Sequence, residues 1–122
     1  MSRDDSWHAV CPRHRLADPG SRAFVLKRAG RELCGFLVCQ AGEVHAFRNR
    51  CPHTGVELNW GGDRFLDLDD AYIQCSMHGA LFRPEDGRCI HGPCVGRALQ
   101  ALPVRIRNGG IEVAWPQAED AS

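Results

Sequence analysis

Cys51-Pro52-His53-Thr54-Gly55 and Cys75-Ser76-Met77-His78-Gly79 share one design: a thiol, a gap of one or two residues, an imidazole, then a glycine close behind. Thiolate and imidazole are both metal donors. Cys51, His53, Cys75 and His78 therefore form a candidate four-ligand set. The donors admit two readings. One is tetrahedral zinc. The other is a two-iron cluster with both thiolates on one iron and both imidazoles on the other. Zinc-finger spacing usually places two cysteines first and two histidines after them. Here each motif holds one of each, which favours iron and sulfide. Pro52 fixes a backbone angle and stiffens the first loop. Gly55 and Gly79 let backbone N–H groups come close to whatever the loops hold.

Outward from these loops, turn signals recur at short intervals: Pro19-Gly20, Ala29-Gly30, Ala41-Gly42, Gly61-Gly62, Asp86-Gly87 and Asn108-Gly109-Gly110. Short apolar or alternating segments lie between them, the rhythm of an all-β domain. Strands are expected over 7–10, 23–27, 33–40, 44–49, 72–74, 80–83, 103–107 and 111–115. The last two form a hairpin about Asn108-Gly109-Gly110. Leu33–Gln40 is apolar on both faces and should run through the centre of a sheet. Residues 12–22 read as loop, 116–122 as a loose tail, and a single helical turn is allowed at 57–60.

The 122 residues suit a single domain, 1–122, with a modest core. Fifteen basic side chains balance fifteen acidic ones, so neither nucleic acid nor an anionic membrane is expected as a partner. No apolar run is long enough to span a bilayer. The polar start, Met1-Ser2-Arg3-Asp4-Asp5, does not resemble a secretory leader, so the expected location is cytoplasmic. Residues 57–86 are net acidic, which reads either as a solvated loop or as a docking surface for a basic redox partner. The seven cysteines, an odd number, argue against a disulfide framework. Cys34 and Cys39 read as small buried hydrophobes. Cys89 and Cys94 read as packed thiols or a redox-labile pair, and His91 as an exposed loop residue.

The paired motifs resemble the two cluster loops of Rieske [2Fe–2S] proteins. The resemblance runs from about Trp7 to Trp115. Val44-His45-Ala46-Phe47-Arg48-Asn49 is similar to the strand that feeds the first loop. Ala80-Leu81-Phe82 and Asp86-Gly87 are similar to the strand and hairpin after the second. Gly92-Pro93 resembles the third loop, in which Pro93 would help shield the cluster. The resemblance implies a Rieske-like antiparallel fold, with a base built from both chain ends and a cluster-binding subdomain at about 50–94. It also implies a [2Fe–2S] cofactor held by Cys51, His53, Cys75 and His78.

High-potential members of the family carry an extra cysteine in each loop, where this chain has Val56 and Met77. They also carry a serine and a tyrosine that donate hydrogen bonds to sulfur, where this chain has Ala80 and Phe82. The resemblance is therefore to the Rieske-type ferredoxins, and a low reduction potential is expected. The implied function is a one-electron carrier, not itself an enzyme. It would take electrons from a reductase and pass them through His53 and His78 to an oxygenase or another oxidoreductase. The alternative is a non-diffusing module of a larger reductase, similar to the small subunit of nitrite reductase.

Overall fold

The computed structural model describes residues 7–52, 57–58, 62–67, 69, 71–75 and 79–115. Ten strands occur among them: β1 (Trp7–Pro12), β2 (Gly20–Arg28), β3 (Arg31–Gln40), β4 (Glu43–Arg48), β5 (Ile73–Gln74), β6 (Leu81–Phe82), β7 (Cys89–His91), β8 (Ala101–Leu102), β9 (Val104–Arg107) and β10 (Gly110–Ala114). A 3-10 turn at Arg13–Arg15 is the one helical element among the described residues. No helix there is long and apolar enough to cross a membrane.

Three antiparallel sheets result, in the orders β1-β10-β9, β2-β3-β4-β8 and β5-β6-β7. The first joins the two ends of the chain. Three hairpins share one turn. Ala29-Gly30, Ala41-Gly42 and Asn108-Gly109 each place two successive residues at positive φ. They link Arg28 to Arg31, Gln40 to Glu43 and Arg107 to Gly110. Two-residue turns of this kind match the right-handed twist of the flanking strands. The glycine in each takes the left-handed position without steric cost.

β3 lies inside the central sheet and is buried on both faces, which explains its unbroken apolar run. Leu33, Leu37 and Cys39 join Leu26, Ile111, Val113 and Trp115 in a core against the base sheet. Phe36 and Val38 belong to a second core with Phe47, Leu58, Phe65, Ile73 and Phe82. In that core Phe36 stacks on Phe65, with ring centroids 4.2 Å apart. Each fully buried side chain of this size contributes about 1.5–3 kcal/mol. The alternation of side chains along one strand thus divides a single apolar segment between two cores.

The sequence reading needs several corrections. β7 and β8 carry too few apolar residues to show a period, and both form only because the neighbouring strands offer edges. The loop expected over 12–22 contains the 3-10 turn and the first residues of β2, held in register by β3. Cys34, expected to be buried, is only half-buried. The helical turn at 57–60 and the tail at 116–122 fall partly or wholly outside the described residues.

Candidate metal centre

The first motif hangs from the end of β4. The Asn49 N–H donates to the carbonyl of Cys34 at 2.8 Å, and the Asn49 side-chain Oδ1 accepts from the Leu58 N–H at 2.8 Å. Asn49 is a buried polar residue within the apolar interior. Its two bonds anchor the ends of the segment that holds Cys51 and Pro52. Cys75 and Gly79, the two described residues of the second motif, lie between β5 and β6. The Cys75 N–H donates to Ala80 O at 2.9 Å, and the Gly79 N–H donates back to Cys75 O at 3.0 Å. Gly79 takes φ +67°, the left-handed region that glycine tolerates.

A third loop follows β7. The Cys89 N–H donates to Arg97 O, and the Arg97 N–H donates to Cys94 O, both at 2.9 Å. This loop touches the other two. The Arg97 Nη1 donates to the carbonyl oxygen of Pro52 at 2.9 Å. Gly92 lies so close to the second motif that a Cβ there would come within 3.0 Å of the Ala80 Cα. Gly92 is therefore packed against Ala80, just after the second motif, while Arg97 reaches the first, and Pro93 is exposed.

The thiols of Cys51 and Cys75 are unbridged and 2% and 0% exposed, within one apolar cluster that also holds Cys89 and Cys94. Far apart in the chain, they are brought to the roots of adjoining loops. Cys94 donates to the Cys89 sulfur at 2.8 Å. Burial, this bond to Cys89 and the neighbouring Cys51 push the Cys94 thiol up to about 12. His53, Gly55 and His78 lie outside the described residues, as do Val56 and Met77. Ala80 and Phe82 are buried and carry no side-chain donor. The buried pair Cys51 and Cys75 fits the sulfur half of a two-iron site.

The model of the Rieske [2Fe-2S] domain matches residues 6–107. The chain belongs to the Rieske [2Fe–2S] family. This Rieske chain is 31% identical over 78 residues to the 3-phenylpropionate/cinnamic acid dioxygenase ferredoxin subunit of Shigella flexneri serotype 5b (strain 8401), covering 64% of the chain and 69% of the relative. It is 30% identical over 89 residues, 73% of its length, to the cholesterol 7-desaturase of Caenorhabditis elegans, but spans only 19% of that protein. Among solved structures, the ferredoxin of carbazole 1,9a-dioxygenase from Nocardioides aromaticivorans IC177 superposes with a TM-score of 0.68 at 22% identity. That match covers 91% of this chain and 99% of the other. The family carries a [2Fe–2S] cluster.

Three carboxylates of the acidic stretch of this Rieske domain accept hydrogen bonds from the backbone. Asp63 Oδ1 accepts from the Ala23 N–H. Asp67 Oδ1 accepts from the N–H groups of Ala71 and Tyr72. Asp86 Oδ1 accepts from the Arg88 N–H and pairs with Arg83. Asp67 and Asp86 close local turns, an ordinary use of aspartate, whereas Asp63 ties its segment to β2. His91 is exposed, as expected, but it is the last residue of β7, paired with Leu81, and not a loop residue. Two contributors escaped the sequence reading. Asn49 reads as the last residue of a strand, and between Arg48 and Arg50 its polar side chain gives no sign of burial. Arg97 carries no local signal, because its partner lies 45 residues away.

Proposed function

We propose that this chain is a one-electron carrier. Cys51 and Cys75 are assigned as thiolate ligands of one iron, and His53 and His78 as imidazole ligands of the other. When bound, the cluster supplies a single reversible one-electron step. Pro52, Gly55, Gly79 and Pro93 shape the loops around it. The unit that holds the cluster is assigned to about 50–94, and electrons enter and leave at the His53 and His78 edge. The donor is assigned as a reductase and the acceptor as an oxygenase or another oxidoreductase, in keeping with the ferredoxin relative. The cytoplasm is proposed as the compartment.

One observation carries this reading. Two buried cysteines from distant motifs belong to one apolar core cluster. Burial excludes water from the sulfur side, and the hydrogen-bonded hairpin and the Asn49 anchor hold the two roots in place. The test uses protein purified anaerobically. Iron and acid-labile sulfide in equal amounts, and an electron paramagnetic resonance signal of average g below two after dithionite, are expected. Cys75→Ser and His78→Ala should each abolish that signal. Retention of the native spectrum in either variant removes that ligand, and absence of iron and sulfide after reconstitution removes the whole assignment.

A further inference from the structure

We propose that Cys89 and Cys94 form a reversible dithiol–disulfide couple, oxidised by small disulfides of the glutathione class, that locks the third loop. The two sulfurs lie 2.8 Å apart. A disulfide bond is about 2.05 Å long, so closure needs a movement of under about 1 Å. The backbone enforces this approach. The Cys89 N–H to Arg97 O and Arg97 N–H to Cys94 O bonds pinch the loop at its base, and the chain turns between the cysteines at Gly92, with φ +105°.

The two thiols have unequal roles. Cys94 donates its hydrogen bond to the Cys89 sulfur, and the Cys89 thiol faces the carbonyl of His91 at 3.3 Å. Cys89 is 6% exposed and Cys94 1%. Cys89, the less buried of the two residues, is therefore assigned the first attack. Cys89 loses its proton and attacks one sulfur of the small disulfide. The S–S bond of the reagent breaks, and one thiolate leaves. Cys94 then loses its proton and attacks the Cys89 sulfur, expelling the second thiolate. Two protein thiols are oxidised to one disulfide, and one small disulfide is reduced to two thiols. Excess small thiol reverses both steps.

Closure ties Cys89 to Cys94 across Gly92-Pro93, in the same loop whose Arg97 holds the Pro52 carbonyl. The thiol–disulfide balance of the surroundings is thereby coupled to the loop beside Cys51. The couple does not depend on the protein's redox partners.

The experiment treats cluster-loaded protein with oxidised glutathione while its visible absorption is followed. Free thiols are then alkylated under denaturing conditions, and tryptic peptides are weighed. Both cysteines fall in the single peptide 89–97, after Arg88 and ending at Arg97. The expected result is a peptide without alkyl groups and lighter by two hydrogens, restored to double alkylation by dithiothreitol, with the visible spectrum intact. Cys94→Ser should accumulate a glutathione adduct at Cys89, and Cys89→Ser should accumulate none at Cys94. Full alkylation of both cysteines, or a cross-link that forms only as the visible absorption is lost, overturns the proposal. An adduct at Cys94 but not at Cys89 overturns the assigned order of attack. The wild-type mapping stands without either variant.

Discussion

The Arg97 guanidinium holds the carbonyl of Pro52 at 2.9 Å, joining the third loop to the residue between Cys51 and His53. The contact is exposed, so solvent competes for both partners and its contribution to stability is small. Its charge has a second effect. A cation beside a site that gains an electron favours the reduced form, through Coulomb attraction. Arg97→Ala is expected to lower the midpoint potential, whereas Arg97→Lys, which keeps the charge, should stay near wild type. Protein-film voltammetry of the three proteins separates these outcomes. A midpoint that is unchanged in Arg97→Ala contradicts the electrostatic role.

Asn49→Ala removes the acceptor of a buried N–H. Leu58 is fully buried, so its amide is left without that bond in an apolar environment. The expected cost is about 1–3 kcal/mol. The damage should concentrate at the first motif, because Asn49 closes the segment that carries it. Urea unfolding should show the loss of stability, and iron content per chain should fall. A full iron complement at wild-type stability would show that the anchor is dispensable.

Gly92→Ala tests the packing of the third loop on the second motif. A Cβ at position 92 meets the Ala80 Cα at 3.0 Å and its Cβ at 3.1 Å, and φ +105° disfavours any side chain. A loss of about 1–3 kcal/mol is expected from strain at such a position. Hydrogen exchange should quicken at the Cys75 and Gly79 amides, which close the neighbouring turn. Unchanged protection at both amides would separate the two loops energetically.

Ala80 and Phe82 are buried beside Cys75 and offer no hydroxyl. Fewer donors to sulfur leave the added negative charge of a reduced cluster less stabilised. The midpoint should lie at the low end of the roughly −150 to +300 mV range of Rieske centres. Ala80→Ser should raise it. A wild-type midpoint in the upper half of that range would contradict the argument.

Cys39 supplies a pH dependence far from the motifs. Burial raises its thiol above the ordinary value of 9.0, and Asp18 adds to this, while the Arg13 guanidinium at 3.2 Å opposes it. Between the ordinary value and the raised one, the unfolded chain has lost a proton that the folded chain keeps. The unfolded state then binds fewer protons, so stability falls as pH rises through that window. Below the ordinary value both states are protonated and stability is fully present. The slope from this thiol is at most about 1.4 kcal/mol per pH unit. Cys39→Ala should flatten the decline of the urea midpoint above pH 9.0. An unaltered slope would remove Cys39 from its causes.

Much of the fold was legible in linear order because its signals are local. The turns at Ala29-Gly30, Ala41-Gly42 and Asn108-Gly109 depend on backbone angles that neighbouring residues set. The two-sided apolar run of β3 announces a strand covered on both faces. The short strands β7 and β8 were hidden, since two or three residues cannot display a period and the partner's edge decides their state.

Donor chemistry and its pairing into two motifs are properties of residue identity, so the chain alone determined the family and the kind of cofactor. Contacts across many residues are not. The Arg97 bond to Pro52, the Asn49 anchor and the meeting of Cys89 with Cys94 depend on how three sheets pack, and side-chain reach in space is independent of separation along the chain. Tertiary structure therefore decided how the three loops brace one another, because that bracing exists only after the two cores have formed.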